Sequence, residues 1–136
     1  MLLIDTSVWI KLFRDKRGKF KQTLTKAIDG KDYYLSRFTQ TELLQGAKNE
    51  REWTELNNYL STQDYIDPNI PSWSNAARIY YELRRQGITV RNTIDCLIAA
   101  SAIEHDLLLL HDDRDFEAIS KGTSLNQIRI WEDITL

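Results

Sequence analysis

The segment TIDCLIAASAIEHDLLLLHDD, residues 93–113, decides the fold because its hydrophobic pattern changes halfway along. Residues 94–103 are apolar nearly all round, which in a helix indicates burial on most faces. The run LLLL, residues 107–110, is typical of a parallel strand covered on both sides, since such a strand needs no polar alternation. A buried helix followed directly by a buried strand predicts helices packed on a parallel sheet.

The rest of the chain alternates strands and helices in the same way. Strands are predicted at MLLID (1–5), DYYLS (32–36), DYID (64–67) and IRIW (128–131). Helices are predicted at TSVWIKLF (6–13), GKFKQTLTKAIDG (18–30), TQTELLQGAK (39–48), REWTELNNYLS (51–61) and SWSNAARIYYELRRQG (72–87), with a turn at Pro68 and Pro71. The expected class is α/β, with a central parallel sheet of four or five strands between two layers of helices.

Length and composition favour a single domain over residues 1–136. With 42% hydrophobic residues, a chain of 136 can bury a core without staples. The only cysteine, Cys96, excludes a disulfide framework and a CxxC zinc site, and its apolar neighbours make it a packing residue. No apolar stretch approaches the roughly 20 residues of a membrane span. These features predict a cytoplasmic protein that does not interact with membranes.

The overall charge does not predict a nucleic-acid partner, but two basic clusters could bind one. Eighteen basic and 20 acidic residues give a formal charge of -2. FRDKRGKFK, residues 13–21, carries five basic residues against one acidic residue, and Arg84, Arg85 and Arg91 form a second group. A solvated surface is the alternative interpretation of both clusters.

Carboxylates follow the predicted strands at the points where they end. Asp5 ends the first strand, and Asp112 and Asp113 end the LLLL strand. Asp95 begins the buried helix, and Glu42 lies near the start of the helix after DYYLS. Because ligands bind beyond the carboxyl ends of parallel strands, we expect these side chains to face one rim.

Each carboxylate also has an explanation as a helix cap. Asp5 can cap the helix from Thr6, and Asp112 or Asp113 can cap the helix near Asp115. Thr39-Gln40-Thr41-Glu42 matches the S/T-x-x-E capping box.

Asp95 is the carboxylate that capping explains least well. Its neighbours at helical spacing, Ile98, Ala99 and Ala102, are apolar, and no Lys or Arg lies in residues 94–105. An ionised carboxylate in apolar surroundings is costly unless it is paired or bound to a metal.

A divalent cation would resolve the repulsion between these carboxylates. Two carboxylates about 4 Å apart repel by roughly 4 kcal/mol at an effective dielectric constant near 20. Oxygen ligands favour Mg²⁺, with Mn²⁺ as a substitute, over zinc. His105 and His111 are candidates for softer ligation, but histidines at a helix end and a strand end are more often surface residues or residues that support a site from behind its ligands. A Mg²⁺ ion held by carboxylates suits phosphodiester hydrolysis.

Four segments in this order resemble a PIN domain, and more closely the VapC-type toxin ribonucleases of toxin-antitoxin pairs. They are LLIDTSVWI (2–10), TQTELLQGA (39–47), GITVRNTIDCLIAASAIEH (87–105) and LLLLHDDRDFEAI (107–119). The resemblance implies a Mg²⁺-dependent endoribonuclease with an RNA substrate, often a transfer RNA. It also implies a homodimer and a VapB-type antitoxin, which together would form a heterotetramer or a larger complex.

The same resemblance implies roles for individual residues. The acidic site would comprise Asp5, Glu42, Asp95 and an aspartate of HDDRDF, where Asp113 is favoured, Asp115 is next and Asp112 stays open. The direct metal ligands would be Asp5, Asp95 and Asp113, with Glu42 acting through water. Thr6 or Ser7 would place a hydroxyl near the metal or the phosphate, and Arg91 would steady the substrate or an inhibitor segment. The basic residues Lys16, Arg17 and Lys19 could track RNA phosphates.

Three alternatives compete with this interpretation. A phospho-acceptor receiver domain also gathers aspartates around Mg²⁺, but it would place paired aspartates after the first strand, whereas the pair here is Asp112 and Asp113. A PIN-like module that binds RNA without cleaving it would be expected to lack a metal ligand. Cleavage of branched DNA usually needs an additional module, for which this chain offers no candidate.

Overall fold

A five-stranded parallel sheet forms the centre of the protein in the computed structural model, which describes residues 1–130. The strands lie in the order β3-β2-β1-β4-β5, and all four neighbouring pairs are parallel. They are β1 (Leu2–Ile4), β2 (Tyr33–Ser36), β3 (Tyr65–Ile66), β4 (Leu108–His111) and β5 (Gln127–Arg129). The predicted α/β class is confirmed, with the larger of the two expected strand numbers.

Seven helices connect the strands within the described part of the chain. They are α1 (Thr6–Phe13), α2 (Lys19–Ile28), α3 (Arg37–Gln45), α4 (Glu50–Leu60), α5 (Ile70–Arg85), α6 (Thr93–Glu104) and α7 (Arg114–Gly122). Within residues 1–130, no helix combines the length and the apolar character needed to cross a bilayer.

The two faces of the sheet carry separate hydrophobic cores, because side chains alternate along each strand. On one face, Leu3 and Leu109 pack with buried residues of α5, α6 and α7. On the other face, Leu2, Ile4 and Leu110 pack with buried residues of α1, α2, α3 and α4. The sheet is therefore the middle of three layers, as predicted.

The chain builds the sheet outward from β1 in both directions, so the gap between the neighbouring strands β1 and β4 is a topological switch point. From β1 the chain first adds β2 and β3 on one side and later adds β4 and β5 on the other. The two central strands stay paired to their ends, where the Asp5 amide donates to the Leu110 carbonyl at 2.9 Å. Ligand sites of open α/β sheets lie at this kind of crevice.

Most predicted elements are confirmed, but α3 and α5 each begin two residues earlier than predicted, at Arg37 and Ile70. Pro71 does not form a turn, because α5 begins at Ile70 and takes the proline into its first turn. The missing amide hydrogen of proline costs nothing there, since first-turn amides have no partner inside the helix. The helix stops before Gly87, which has a φ of 78°, as the sequence predicts. The end of the predicted IRIW strand, Trp131, lies outside the described residues.

Cys96 is a core residue, as predicted. Its side chain is completely buried in the cluster beneath α6. Burial raises the pKa of the thiol to about 11, with a further contribution from the charge of Asp95. The thiol is therefore protonated and unreactive at neutral pH.

Candidate functional site

A cavity of about 400 Å³ opens at the switch point, beyond the carboxyl ends of β1 and β4. It brings together residues from four separate parts of the chain, including every carboxylate that the sequence assigned to the site except Asp112. Its lining residues are Asp5, Thr6, Ser7, Glu42, Arg91, Asn92, Asp95, Asp113 and Asp115.

Asp5 caps α1 and also faces the cavity, so both predicted roles apply to the same side chain. Its Oδ2 accepts hydrogen bonds from the Ser7 amide at 3.1 Å and the Ser7 hydroxyl at 2.6 Å. The Ser7 hydroxyl in turn accepts from the Asp112 amide at 2.9 Å, which ties α1 to the loop after β4. Burial raises the pKa of Asp5, while the two bonds from Ser7 act in the opposite direction.

Glu42 is not part of a capping box. The helix that contains it starts at Arg37, and Ser36 caps it by accepting from the Thr39 amide at 3.2 Å. Glu42 therefore lies beyond the first turn, and its Oε1 accepts from the Thr6 hydroxyl at 3.1 Å. Partial burial raises the pKa of Glu42, and the charge of Asp5 adds to this shift. The Thr6 hydroxyl thus joins α1 to α3 at the rim of the cavity.

The Asp95 carboxylate has no hydrogen-bond donor and no ion pair within residues 1–130. Burial raises its pKa to about 7, and the negative charges of Asp113, Asp5, Asp115 and Glu42 contribute further. The first turn of α6 therefore holds a partly buried acid that lies mainly among other acids, and the nearby Arg91 acts on it only through its charge. This arrangement is expensive unless a cation is bound.

Asp113 and Asp115 complete an acidic cluster with Asp95. One oxygen from each of these three carboxylates lies within 4.8 Å of the other two. Asp113 caps α7 by accepting from the Asp115 amide at 2.9 Å, so its position is set by the helix start. The predicted ligand set named Asp113 ahead of Asp115, and the structure places both at the cluster.

Arg91 bridges two members of the cluster. Its Nε donates to Asp115 at 3.0 Å, and a terminal nitrogen donates to Asp113 at 3.2 Å. The guanidinium itself is mostly solvent exposed, since 61% of the side chain is accessible. Arg91 thus neutralises part of the acidic charge but leaves Asp95 without a partner.

Asp112 faces away from the cluster although it precedes Asp113 directly. It pairs with Arg129 at 3.0 Å and with Lys11 at 3.5 Å. Arg129 also pairs with Glu117 at 2.9 Å, so this network fastens the loop after β4 to α1, α7 and β5. Of the three aspartates of HDDRDF among which the sequence left the choice open, Asp113 and Asp115 lie at the cluster and Asp112 does not.

His111 lies next to the site and supports its backbone, which is the alternative to metal ligation that the sequence favours for this residue. The ring is completely buried, and its Nδ1 accepts from the Asp113 amide at 3.0 Å. Its Nε2 forms a hydrogen bond with the Gln127 side-chain oxygen at 2.6 Å. The signal in the sequence was a histidine at the last position of an otherwise apolar buried strand. His111 orients the backbone of the loop and does not reach the cavity lining.

The donor set fits a hard divalent cation. Asp95, Asp113 and Asp115 offer carboxylate oxygens only, which Mg²⁺ and Mn²⁺ prefer, and the partnerless Asp95 carboxylate has a lone-pair site available. Asp5 lines the same cavity and lies close enough for its charge to act on Asp95.

The basic residues Lys16, Arg17 and Lys19 are not brought to the cavity. Lys16 and Arg17 lie in the connection between α1 and α2, and Lys19 begins α2. Helix α1 starts at the cavity and leads away from it, and eight residues of helix span about 12 Å. These side chains can reach only parts of a substrate that extend well beyond the acidic cluster.

The structure combines a parallel sheet with five acidic residues at its switch point, and comparison with known families assigns this α/β domain to a class. The PIN domain family matches residues 2–122. The chain belongs to this family, which confirms the resemblance seen in the sequence and replaces the receiver-like alternative.

Curated relatives refine this assignment. The chain is 34% identical over 133 residues to a VapC ribonuclease of Mycobacterium bovis and to ribonuclease VapC11 of Mycobacterium tuberculosis, covering 92% of this chain and 96% of each relative. It is 33% identical over 121 residues to ribonuclease VapC51 of Mycobacterium tuberculosis, covering 89% of this chain and 86% of the relative.

Solved structures share the fold. VapBC2 from Rickettsia felis, bound to a DNA fragment from its promoter, superposes with a TM-score of 0.75 at 21% identity, covering 94% of this chain and 98% of that one. FitAcB from Neisseria gonorrhoeae superposes with a TM-score of 0.75 at 23% identity, covering 95% and 97%. At these identities the likeness concerns the fold.

Proposed function

We propose that this protein is a metal-dependent endoribonuclease of the VapC type. The observation that carries the proposal is the Asp95 carboxylate, which is partly buried among acidic groups and has no hydrogen-bond donor and no ion pair within residues 1–130. A divalent cation supplies the missing charge. Asp113 and Asp115 would hold it with Asp95, and Asp5 would contribute from the floor of the cavity.

The chemistry follows from the groups around this position. A divalent cation held by carboxylates activates water and offsets the charge that develops on the phosphate during hydrolysis. Glu42, at the rim, is placed to accept a proton from the attacking water, and the Thr6 hydroxyl keeps its carboxylate oriented. The hydrogen bonds from Ser7 fix the orientation of the Asp5 carboxylate at the cavity.

The relatives support RNA as the substrate and a toxin-antitoxin system as the context. The curated relatives named above are ribonucleases, and several structural neighbours are complexes of a VapC with a VapB. We extend these properties to this chain: a structured RNA such as transfer RNA as the target, Mg²⁺ as the ion with Mn²⁺ as a substitute, and cytoplasmic action. A VapB-type antitoxin would neutralise a homodimer of this chain in a heterotetramer or larger complex.

Cleavage of a total transfer-RNA pool by the purified protein tests the proposal. The reactions contain Mg²⁺, Mn²⁺ or EDTA, and Asp95→Asn serves as the matched control because it keeps the shape of the side chain. We expect discrete fragments that require the metal and are absent with Asp95→Asn. Expression of the wild-type chain in cells should arrest growth, and Asp95→Asn should relieve the arrest.

A PIN-like module that binds RNA without cleaving it is the second candidate. It predicts RNA binding by well-folded protein with no fragments in either metal. That result would overturn the nuclease proposal and leave the acidic cluster as a cation site without catalysis.

A further inference from the structure

A second cavity, of about 480 Å³, adjoins the acidic one. Arg91 and Asp115 line both, so the two cavities lie side by side at this ion pair. The lining residues of the second cavity are Thr89, Arg91, Arg114, Asp115, Glu117, Ala118 and Lys121. Its volume falls within the range of about 300 to 1,000 Å³ that is typical of ligand sites.

The charges of this second cavity do not cancel. Asp115 is paired with Arg91 at 3.0 Å, and Glu117 is paired with Arg129 at 2.9 Å. Arg114 and Lys121 make no ion pair or hydrogen bond with any other residue of the described chain, 1–130. Both side chains are exposed, so two uncompensated positive charges face solvent beside the acidic cluster.

These two cations are arranged along one side of α7. Arg114 begins the helix and Lys121 lies seven residues later, which places them on the same face and about 10 Å apart along the axis. Ala118 lies between them on that face, and its small side chain leaves the space between the two charges open. Such a stripe presents two cationic groups to an extended polyanion.

We propose that the second cavity binds the phosphodiester backbone of the RNA next to the cleaved bond, with Arg114 and Lys121 contacting its phosphates. This inference rests on the proposed nuclease function. Because Arg91 and Asp115 line both cavities, the second cavity is the neighbouring surface for a strand whose scissile phosphate lies at the acidic cluster. The acidic cavity requires a bound cation before it accepts a phosphate, whereas the second cavity already has the required charge.

Salt-dependent binding of a short single-stranded RNA oligonucleotide tests the inference. Binding is measured by fluorescence anisotropy over a range of salt concentrations, in the Asp95→Asn background so that the RNA stays intact. Each phosphate contact to a single strand contributes about 0.7 to the slope of log K against log salt. Arg114→Ala/Lys121→Ala should lower the slope by about 1.4 and weaken binding at low salt by about tenfold or more.

A matched control removes two charges elsewhere. Lys26 is in the last turn of α2, and Lys31 lies in the connection before β2, toward the opposite edge of the sheet. Lys26→Ala/Lys31→Ala should leave the slope unchanged, which would show that the effect is local. Thermal unfolding of each variant confirms that the exposed substitutions leave the fold intact.

An unchanged slope in Arg114→Ala/Lys121→Ala would overturn the inference. The same holds if that variant binds RNA normally and loses only the capacity to bind a partner protein, since the surface would then be a protein interface. The proposed nuclease function is tested separately, by cleavage with the wild-type protein. Absence of cleavage would overturn that function, whereas the salt slope of binding tests only the role of Arg114 and Lys121.

Discussion

The guanidinium of Arg91 donates to the carboxylate of Asp115 at 3.0 Å, so a positive charge from the chain itself occupies one side of the acidic cluster. Arg91 precedes α6 and Asp115 lies in the first turn of α7, so the pair joins the two helices that carry the cluster. It offsets repulsion among carboxylates when no metal is bound. A bound metal ion and Arg91 would both contact the carboxylate of Asp115.

Arg91→Gln should make the metal more important for stability. The substitution removes the only cation that pairs with Asp113 and Asp115 in the described chain, so repulsion in the cluster increases. We expect a lower melting temperature in EDTA and a larger upward shift on adding Mn²⁺ than in the wild type. Arg51→Gln, which loses an exposed pair with Glu55, is the control and should show the wild-type shift. Equal shifts in both variants would contradict this role for Arg91.

Asp95→Asn should abolish cleavage without damaging the fold. The variant loses a metal ligand, so cleavage should fall by more than about 100-fold. It also removes repulsion with Asp113, Asp5 and Asp115, so stability in EDTA should stay equal or rise by about 1 kcal/mol. Urea unfolding in EDTA measures this, and a loss of several kcal/mol would mean that Asp95 is a structural residue.

The metal-free protein should become less stable as the pH rises toward neutrality. The pKa of Asp95 is raised from 3.8 to about 7, so the folded state keeps a proton that the unfolded chain has released. The free energy of unfolding therefore falls between about pH 4 and pH 7. The fall should be only about 1 to 2 kcal/mol, because solvent screens the charge of this partly exposed group. Urea unfolding in EDTA at several pH values should show this decline, with a smaller slope in Asp95→Asn. A slope that is identical in both proteins would assign the effect to other groups.

Glu42→Gln separates catalysis from structure. Ser36 caps α3, so Glu42 carries no capping role, and glutamine can still accept the bond from Thr6. We expect stability within about 0.5 kcal/mol of the wild type. Cleavage should fall by about 100-fold or more if the carboxylate accepts a proton from water. Retained cleavage in a kinetic assay with saturating Mg²⁺ would remove Glu42 from the catalytic group.

Lys16, Arg17 and Lys19 remain predicted RNA contacts. From their position, we expect their contribution to binding to depend on the length of the RNA. They lie beyond the far end of α1, a helix of eight residues that spans about 12 Å and starts at the acidic cavity. Replacing all three with alanine should weaken binding of intact transfer RNA and flatten its salt dependence, while binding of a short oligonucleotide stays unchanged. Anisotropy with both RNAs measures this. If transfer RNA keeps its salt slope, the cluster is a solvated surface.

Much of the site could be predicted because carboxylates at strand ends converge wherever the strands are parallel. Asp5 and Asp113 each follow a buried strand, and these strands are neighbours in the sheet. Asp95 was marked by an apolar helix without a cation of its own, and the structure leaves it without a partner within residues 1–130. These inferences depended only on hydrophobic periodicity and the cost of an unpaired charge.

Other features escaped prediction because they join distant segments. Glu42 matched a capping box by spacing, but its helix begins earlier, and its partner Thr6 is 36 residues away in sequence. Asp112 and Asp113 are adjacent, yet one faces Arg129 and the other faces the cluster. The basic stripe of α7 was not recognised, since Arg114 and Lys121 become significant only where α7 adjoins the acidic cavity.

The sequence by itself determined the α/β architecture, the edge of the sheet that carries the site and the acidic residue types that favour a divalent metal. These properties follow from local patterns, because burial and strand polarity are encoded along each segment. Only the tertiary structure decided which carboxylates share a cluster, which cations neutralise them and which basic residues stay unpaired beside it. Those outcomes depend on the order of the strands and on which helix faces pack together, because these bring distant parts of the chain into contact. Lys11 and Asp112, for example, pair although they are 101 residues apart in the sequence.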